Sequence, residues 1–211
     1  SGQGHREVWD YRADTSLPPD RYRTIRQVVR KAGLDYSIHS EIASPFSELI
    51  FEFGAEKFMM ELLDNPEACK EALDKQAELQ LKNVELQAAE GVDAIVISSA
   101  FAGQSLISRE LYKEFVAPCE NKIINKIKSY GIKAYVHTCG FLNDRLEIIA
   151  NNGYDGIECL DPKPLRNVYL EDAKKRIGNR CFIKGNIDSV NVLLSGNREK
   201  VAEDAVYRCR A

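Results

Sequence analysis

Three short stretches of this sequence concentrate side chains able to do chemistry. The first is Ala134-Tyr135-Val136-His137-Thr138-Cys139-Gly140. In an extended strand, residues two apart share a face, so Tyr135, His137 and Cys139 point together while Ala134, Val136 and Thr138 point away. An imidazole and a thiol brought together in this way form a zinc donor pair, with bonds of ~2.0–2.1 Å to nitrogen and ~2.3 Å to sulfur. The same tripeptide also suits a packed histidine beside a buried cysteine. The second stretch is Ile157-Glu158-Cys159-Leu160-Asp161-Pro162. Glu158 stands in or at the end of an apolar run, where a carboxylate is unusual without a partner. It is a candidate metal ligand, general base or substrate acceptor, or a partner for Lys163, Lys184 or a backbone amide. Asp161, ahead of Pro162, reads as a turn residue.

The third stretch is Ile183-Lys184-Gly185-Asn186-Ile187-Asp188. Lys184 ends an apolar run, and Asp188 has the N-cap position for a helix over Ser189–Ser195. Asn186 has fewer structural explanations than its neighbours, apart from a turn role. A small-residue loop, Ser98-Ser99-Ala100-Phe101-Ala102-Gly103-Gln104, could let a ligand approach the backbone or simply connect a strand to a helix. These stretches make Glu158 and Asn186 the candidate catalytic residues. Gln104, Tyr135 and Lys184 are candidate substrate contacts, and His137 and Cys139 are candidate metal ligands. His39, within a strand, reads as structural, and His5, near the amino terminus, as incidental.

The elements that must position these groups are marked by glycines. Gly33, Gly91, Gly131, Gly153 and Gly178 each follow a helical pattern and precede a short apolar run. Glycine just past a helix takes a left-handed cap at little steric cost. The runs predict strands near Tyr36–Ile42, Asp93–Ile97, Ile132–Thr138, Asp155–Leu160 and Cys181–Lys184. Helices are expected at 20–31, 142–151, 170–177 and from Arg198 onward. A longer one opens at Asn65-Pro66-Glu67, with Asn65 as capping side chain, and runs to Glu90. Another opens at Ser108 and reaches Ser129, kinked or divided at Pro118. Trp9, Phe51, Phe53 and Phe58 read as core or subunit contacts.

Strands alternating with helices imply parallel strands joined by right-handed crossovers, with consecutive strands adjacent. No GxGxxG or GxxxxGK[ST] follows a strand, so a nucleotide-binding open sheet is not favoured. The expectation is an α/β fold, a (β/α)8 TIM-type barrel read as one domain over residues 1–211. Such a barrel usually takes ~250 residues and eight strands, so five strands are an incomplete portion of it. Open sheet edges invite pairing, so a homodimer is one arrangement expected to cover them.

Composition narrows the function classes. The chain has 211 residues, 44% hydrophobic and 29% charged, with a net charge of −3, as an ordinary globular protein has. A mildly acidic balance gives no electrostatic reason to bind nucleic acid or an anionic membrane surface. No run of eighteen apolar residues occurs, and the polar start lacks the apolar stretch of a secretory signal. The six cysteines are scattered with no CxxC pair, which points to the reducing cytoplasm rather than to a disulfide framework.

Four segments taken together resemble the uroporphyrinogen decarboxylase superfamily. They are Phe101 to Ser108 with Tyr112 to Pro118, then His137-Thr138-Cys139-Gly140, then Gly153-Tyr154-Asp155-Gly156-Ile157, and Lys184-Gly185-Asn186-Ile187-Asp188. The resemblance runs from roughly Asp20 to the end and implies a distorted (β/α)8 barrel. It also implies one of two chemistries. Decarboxylases of the superfamily need no cofactor and grip an acidic tetrapyrrole, largely with residues from the amino-terminal part of the barrel. Cobalamin-linked methyltransferases, including those acting on coenzyme M, bind zinc through a His-x-Cys at a strand end and a distant carboxy-terminal cysteine. His137 and Cys139 match the first two ligands, and the third is expected beyond Ala211, not at Cys209. The expected activity is a zinc-assisted methyl transfer between a corrinoid, free or carried by a partner protein, and a small-molecule acceptor. Tetrapyrrole decarboxylation, or corrinoid or tetrapyrrole binding without turnover, are the alternatives.

Overall fold

A computed structural model describes residues 7–211 apart from Thr15 and Pro19. His5 lies outside the described residues. Five strands, β1 (His39–Ala43), β2 (Ala94–Ser98), β3 (Lys133–Thr138), β4 (Gly156–Cys159) and β5 (Phe182–Lys184), form one sheet in chain order. Every neighbouring pair is parallel. The helices before, between and after them are α1 (Arg23–Ala32), α2 (Pro45–Phe53), α3 (Ala55–Asp64), α4 (Pro66–Ala89), α5 (Arg109–Leu111), α6 (Ala117–Ser129), α7 (Leu146–Asn151), α8 (Leu170–Ile177) and α9 (Arg198–Arg210). The result is an α/β partial barrel, with β1 and β5 at the two ends of the strand order.

Two faces of the sheet have different jobs. Ile95, Ile97, Ala134, Val136 and Ile157 point toward the helices and are fully or almost fully buried there. Burying each of the isoleucine and valine side chains contributes ~1.5–3 kcal/mol. The opposite face carries a small separate cluster of Ala94, Val96 and Tyr135. That is the alternation expected for β3, with Tyr135 and His137 on the inner face. No helix among the described residues is long and apolar enough to cross a membrane.

Several local expectations are corrected. Gly91, Gly131 and Gly153 have positive φ, as left-handed caps require. Gly33 and Gly178 instead stay right-handed at φ −67° and −66°, each closing its helix with an N–H bond to the carbonyl four residues back. Asn65 does not cap α4: its side-chain amide donates to Glu61 Oε2 at 2.7 Å, toward the preceding helix. The helix opening at Ser108 is interrupted by a π-helical stretch, Tyr112–Val116, between α5 and α6, and Pro118 stands in the first turn of α6, where its missing N–H costs least. Helices α2 and α3 fill a region without a sequence assignment. Ser44 caps α2 by accepting from the Ser47 amide, and Pro45 starts it. Phe46 and Phe58 from these two helices meet in the core, while Phe51 is exposed. Helix α7 begins at Leu146 instead of Leu142.

Candidate metal centre

Parallel register lines up the last residues of the five strands. Ala43 pairs with Ser98, Ser98 with His137, His137 with Glu158, and Glu158 with Lys184. From Ser98 to Lys184 a polar row therefore crosses the carboxyl ends of the strands on the inner face. One step deeper lies the row Glu41, Val96, Tyr135, Gly156 and Phe182. Gly156 leaves the space that the Phe182 ring occupies, since a Cβ there would meet ring carbons at 2.2 Å.

Within the upper row the contacts are polar and directional. The His137 Nδ1–H donates to Glu158 Oε1 at 2.8 Å, and Lys184 Nζ donates to Glu158 Oε2 at 2.7 Å. Both carboxylate oxygens are thus committed, which makes Glu158 an orienting group for the imidazole. Lys184 also lies over the Tyr135 ring, 5.3 Å from its centroid. The Tyr135 hydroxyl shares a hydrogen bond with His39 Nδ1 at 3.1 Å, which gives His39 a partner on the inner face.

With Nδ1 bound to Glu158, the free lone pair of His137 is on Nε2, 3.3 Å from Cys139 Sγ. Two zinc bonds of ~2.05 and ~2.3 Å at a tetrahedral angle separate nitrogen and sulfur by about 3.6 Å, so this pair fits a soft divalent ion. A carboxylate on the other ring nitrogen is the usual outer partner of a metal-binding histidine. Among the described residues one group of three or more metal-type donors lies within mutual reach. It is His137, Cys139 and Cys159, whose ligand atoms are all within 4.8 Å of one another. Glu158 is not in that group.

The electrostatics agree with a reactive thiol. Hydrogen bonds from Cys159 and His137 lower the Cys139 thiol to about 4, outweighing burial. Its bond to Cys139, reinforced by Glu158, raises His137 to about 9. Burial works to raise Glu158, but Lys184 and His137 hold it below its ordinary value. Cys159 moves the other way, raised by its bond to Cys139 and by burial. Both shifts favour a Cys139 thiolate beside a protonated His137, and a metal ion would take the place of that proton on Nε2.

Loop backbones set these positions. Gly140, at φ +89°, turns the chain away directly behind Cys139. Gly185, at φ +139°, packs so closely on Cys159 that a Cβ would lie 2.5 Å from the Cys159 carbonyl oxygen. Cys159 and Leu160 both have positive φ, +78° and +54°, which is uncommon for residues other than glycine. Asn186 holds that turn: its amide nitrogen donates to Leu160 O at 2.7 Å, and its oxygen accepts from Arg208 at 2.8 Å. Asn186 is buried, and both ends of its amide are engaged in this brace rather than facing the metal-type donors. Asp188 caps the next helical stretch by accepting from the amides of Val190 and Asn191.

The structure thus brings Tyr135, His137, Cys139, Glu158 and Lys184 into one connected group. Gln104 is exposed in the loop after β2, tied by its backbone N–H to Phe141 O in the loop after β3. Cys159 escaped the sequence reading. Alternation from Glu158 would place it behind the sheet, and nothing in the residue types shows that left-handed backbone turns it toward His137.

Comparison with known proteins gives consistent matches. A family model described as uroporphyrinogen decarboxylase (URO-D) matches residues 12–211. The chain is 27% identical over 179 residues to the methylcobamide:CoM methyltransferase MtbA of Methanosarcina acetivorans, covering 85% of this chain and 51% of that one. It is 30% identical over 146 residues to the uroporphyrinogen decarboxylase of Ruthia magnifica, covering 68% of this chain and 40% of that one. The solved structure of a methyltransferase from Methanosarcina mazei superposes with a TM-score of 0.81 at 22% identity, covering 95% of this chain and 61% of that one. The chain spans about half the length of the curated relatives it matches.

Proposed function

The chain belongs to the uroporphyrinogen decarboxylase family, and from that premise we propose that it is a zinc-assisted methyltransferase. It moves a methyl group between a corrinoid and a thiol or other small acceptor. The observation that carries this reading is the His137–Cys139 pair, with Glu158 on the far side of the ring. Relatives named as methylcobamide:CoM methyltransferases support it. Bound at this pair, zinc would favour the thiolate of an acceptor thiol, the nucleophile that methyl transfer needs.

The chain's own residues have separable roles in this reading. Glu158 fixes the His137 tautomer by accepting from Nδ1, which keeps the Nε2 lone pair toward Cys139. Lys184 neutralises Glu158, so the carboxylate does not take the His137 proton. Lys184 and Tyr135 on the inner face, and Gln104 in the loop beside it, border the space where a substrate would approach. The cytoplasm is the compartment that suits free thiols at this site. The corrinoid is either a free substrate or the group carried by a partner protein.

A second reading, tetrapyrrole decarboxylation, is supported by the decarboxylase relative at 30% identity. Two assays on the full-length protein separate them. Thioether formation from a methylated corrinoid and a thiol, abolished by a chelator and restored by zinc, is the expected result. Carbon dioxide release from an acidic tetrapyrrole, indifferent to chelator, would establish the second reading instead.

A further inference from the structure

We infer that Cys159 is a third metal ligand, so that His137, Cys139 and Cys159 form a thiolate-rich site for a soft divalent cation within this chain. This deepens the zinc reading of the same site and rests on it. The resemblance to methyltransferases leads one to expect the third donor from a cysteine beyond Ala211. The geometry points to one 22 residues after His137 in the chain.

Four observations carry the inference. The Cys159 sulfur is 3.7 Å from His137 Nε2, close to the about 3.6 Å that nitrogen and sulfur keep on one tetrahedral zinc ion. Cys139 reaches the same Nε2 from 3.3 Å, and the three ligand atoms all lie within 4.8 Å of one another. Alternation along β4 would direct Cys159 away from Glu158 and behind the sheet. Its φ of +78° brings the thiol to the inner face. Unfavourable backbone of this kind persists only where the surroundings hold it, and it gathers at functional sites. Here Gly185 packs on the Cys159 carbonyl and the Asn186 amide holds the Leu160 carbonyl. The Cys159 sulfur also lies 3.4 Å from Nδ1, so binding an ion would draw it along the ring toward Nε2. The three donors leave a four-coordinate ion one further position for an acceptor thiol or water.

The test is zinc affinity by chelator competition, and the absorption of the cobalt(II)-substituted protein, for wild type, Cys159→Ser and Cys139→Ser. Cys159→Ser is expected to weaken zinc binding by more than the ~10–100-fold that loss of an outer partner costs. It should also reduce the thiolate-to-cobalt charge-transfer band by about one half, as two sulfurs become one. A parallel measurement on wild type avoids dependence on any variant: thiol alkylation with and without zinc, read by mass spectrometry. Zinc should protect Cys139 and Cys159, while exposed Cys209 is labelled in both states. If Cys159→Ser keeps full affinity and an undiminished band while Cys139→Ser loses both, Cys159 is not a ligand. The His137–Cys139 reading would then survive. If wild-type protein binds neither ion, that reading and this inference both fall.

Discussion

His137 presents Nδ1 to Glu158 and Nε2 to Cys139, and this division of one ring sets what each neighbour contributes. Removing Glu158 would free the ring to rotate and to change tautomer. Glu158→Ala should therefore lower zinc affinity by ~10–100-fold with the stoichiometry unchanged, as chelator competition would show. An unaltered affinity would mean that the carboxylate does not orient the ring. A different carboxylate matters for stability. Glu120 is fully buried in α6, accepting from Ser99 Oγ at 2.6 Å and Tyr112 OH at 3.3 Å. Burial raises it to about 7 despite those hydrogen bonds. An unfolded glutamate titrates near ~4.3, so the folded state holds this proton more tightly. The resulting stabilisation is complete below pH ~4.3 and is lost as pH rises to about 7. Glu120→Gln should flatten the fall in Tm between pH 5 and pH 8 and make the variant the more stable at the upper end. A wild-type slope retained in the variant would contradict this.

At the scale of elements, the strand ends and their loops do the positioning. The loop after β5 clasps the turn after β4 through Gly185 and Asn186. Gly185→Ala would impose a Cβ at 2.5 Å from a backbone oxygen, at a φ that side chains rarely adopt. We expect it to destabilise the fold by about 1–3 kcal/mol. For a domain of this size that is a drop in Tm of several degrees, read by thermal melting, and an unchanged Tm would show that the loop yields without cost. Much of this level was legible in the sequence. Gly91, Gly131 and Gly153 end helices in left-handed caps, and the apolar runs after them are strands in chain order. The alternation of β3 correctly put Tyr135 and His137 together. Helices α2 and α3 were not legible, because Phe51, Phe53 and Phe58 gave an apolar cluster without a decisive period. Cys159 was not legible either, because its orientation depends on a left-handed turn held by residues 26 and 27 positions later. Likewise the bracing role of Asn186 was not legible, because its partners, Leu160 and Arg208, are distant in sequence.

For the whole molecule, the five parallel strands bring residues from over 140 positions of chain into one row, from Ala43 to Lys184, polar from Ser98 onward. The strand order places β1 and β5 at its ends. Unpaired strand edges are templates for further pairing. The 211-residue chain by itself is therefore expected to elute from a sizing column as a dimer or larger species. A stable monomer at high concentration would show that the edges are otherwise protected. The central claim, however, is that His137 and Cys139 hold zinc for methyl transfer, and one measurement tests it most directly. Zinc content and thiol methylation should be determined together for the full-length protein and its Cys139→Ala variant. The account predicts that both are lost in the variant. Zinc content equal to that of wild type, or methylation that continues without zinc, would contradict it.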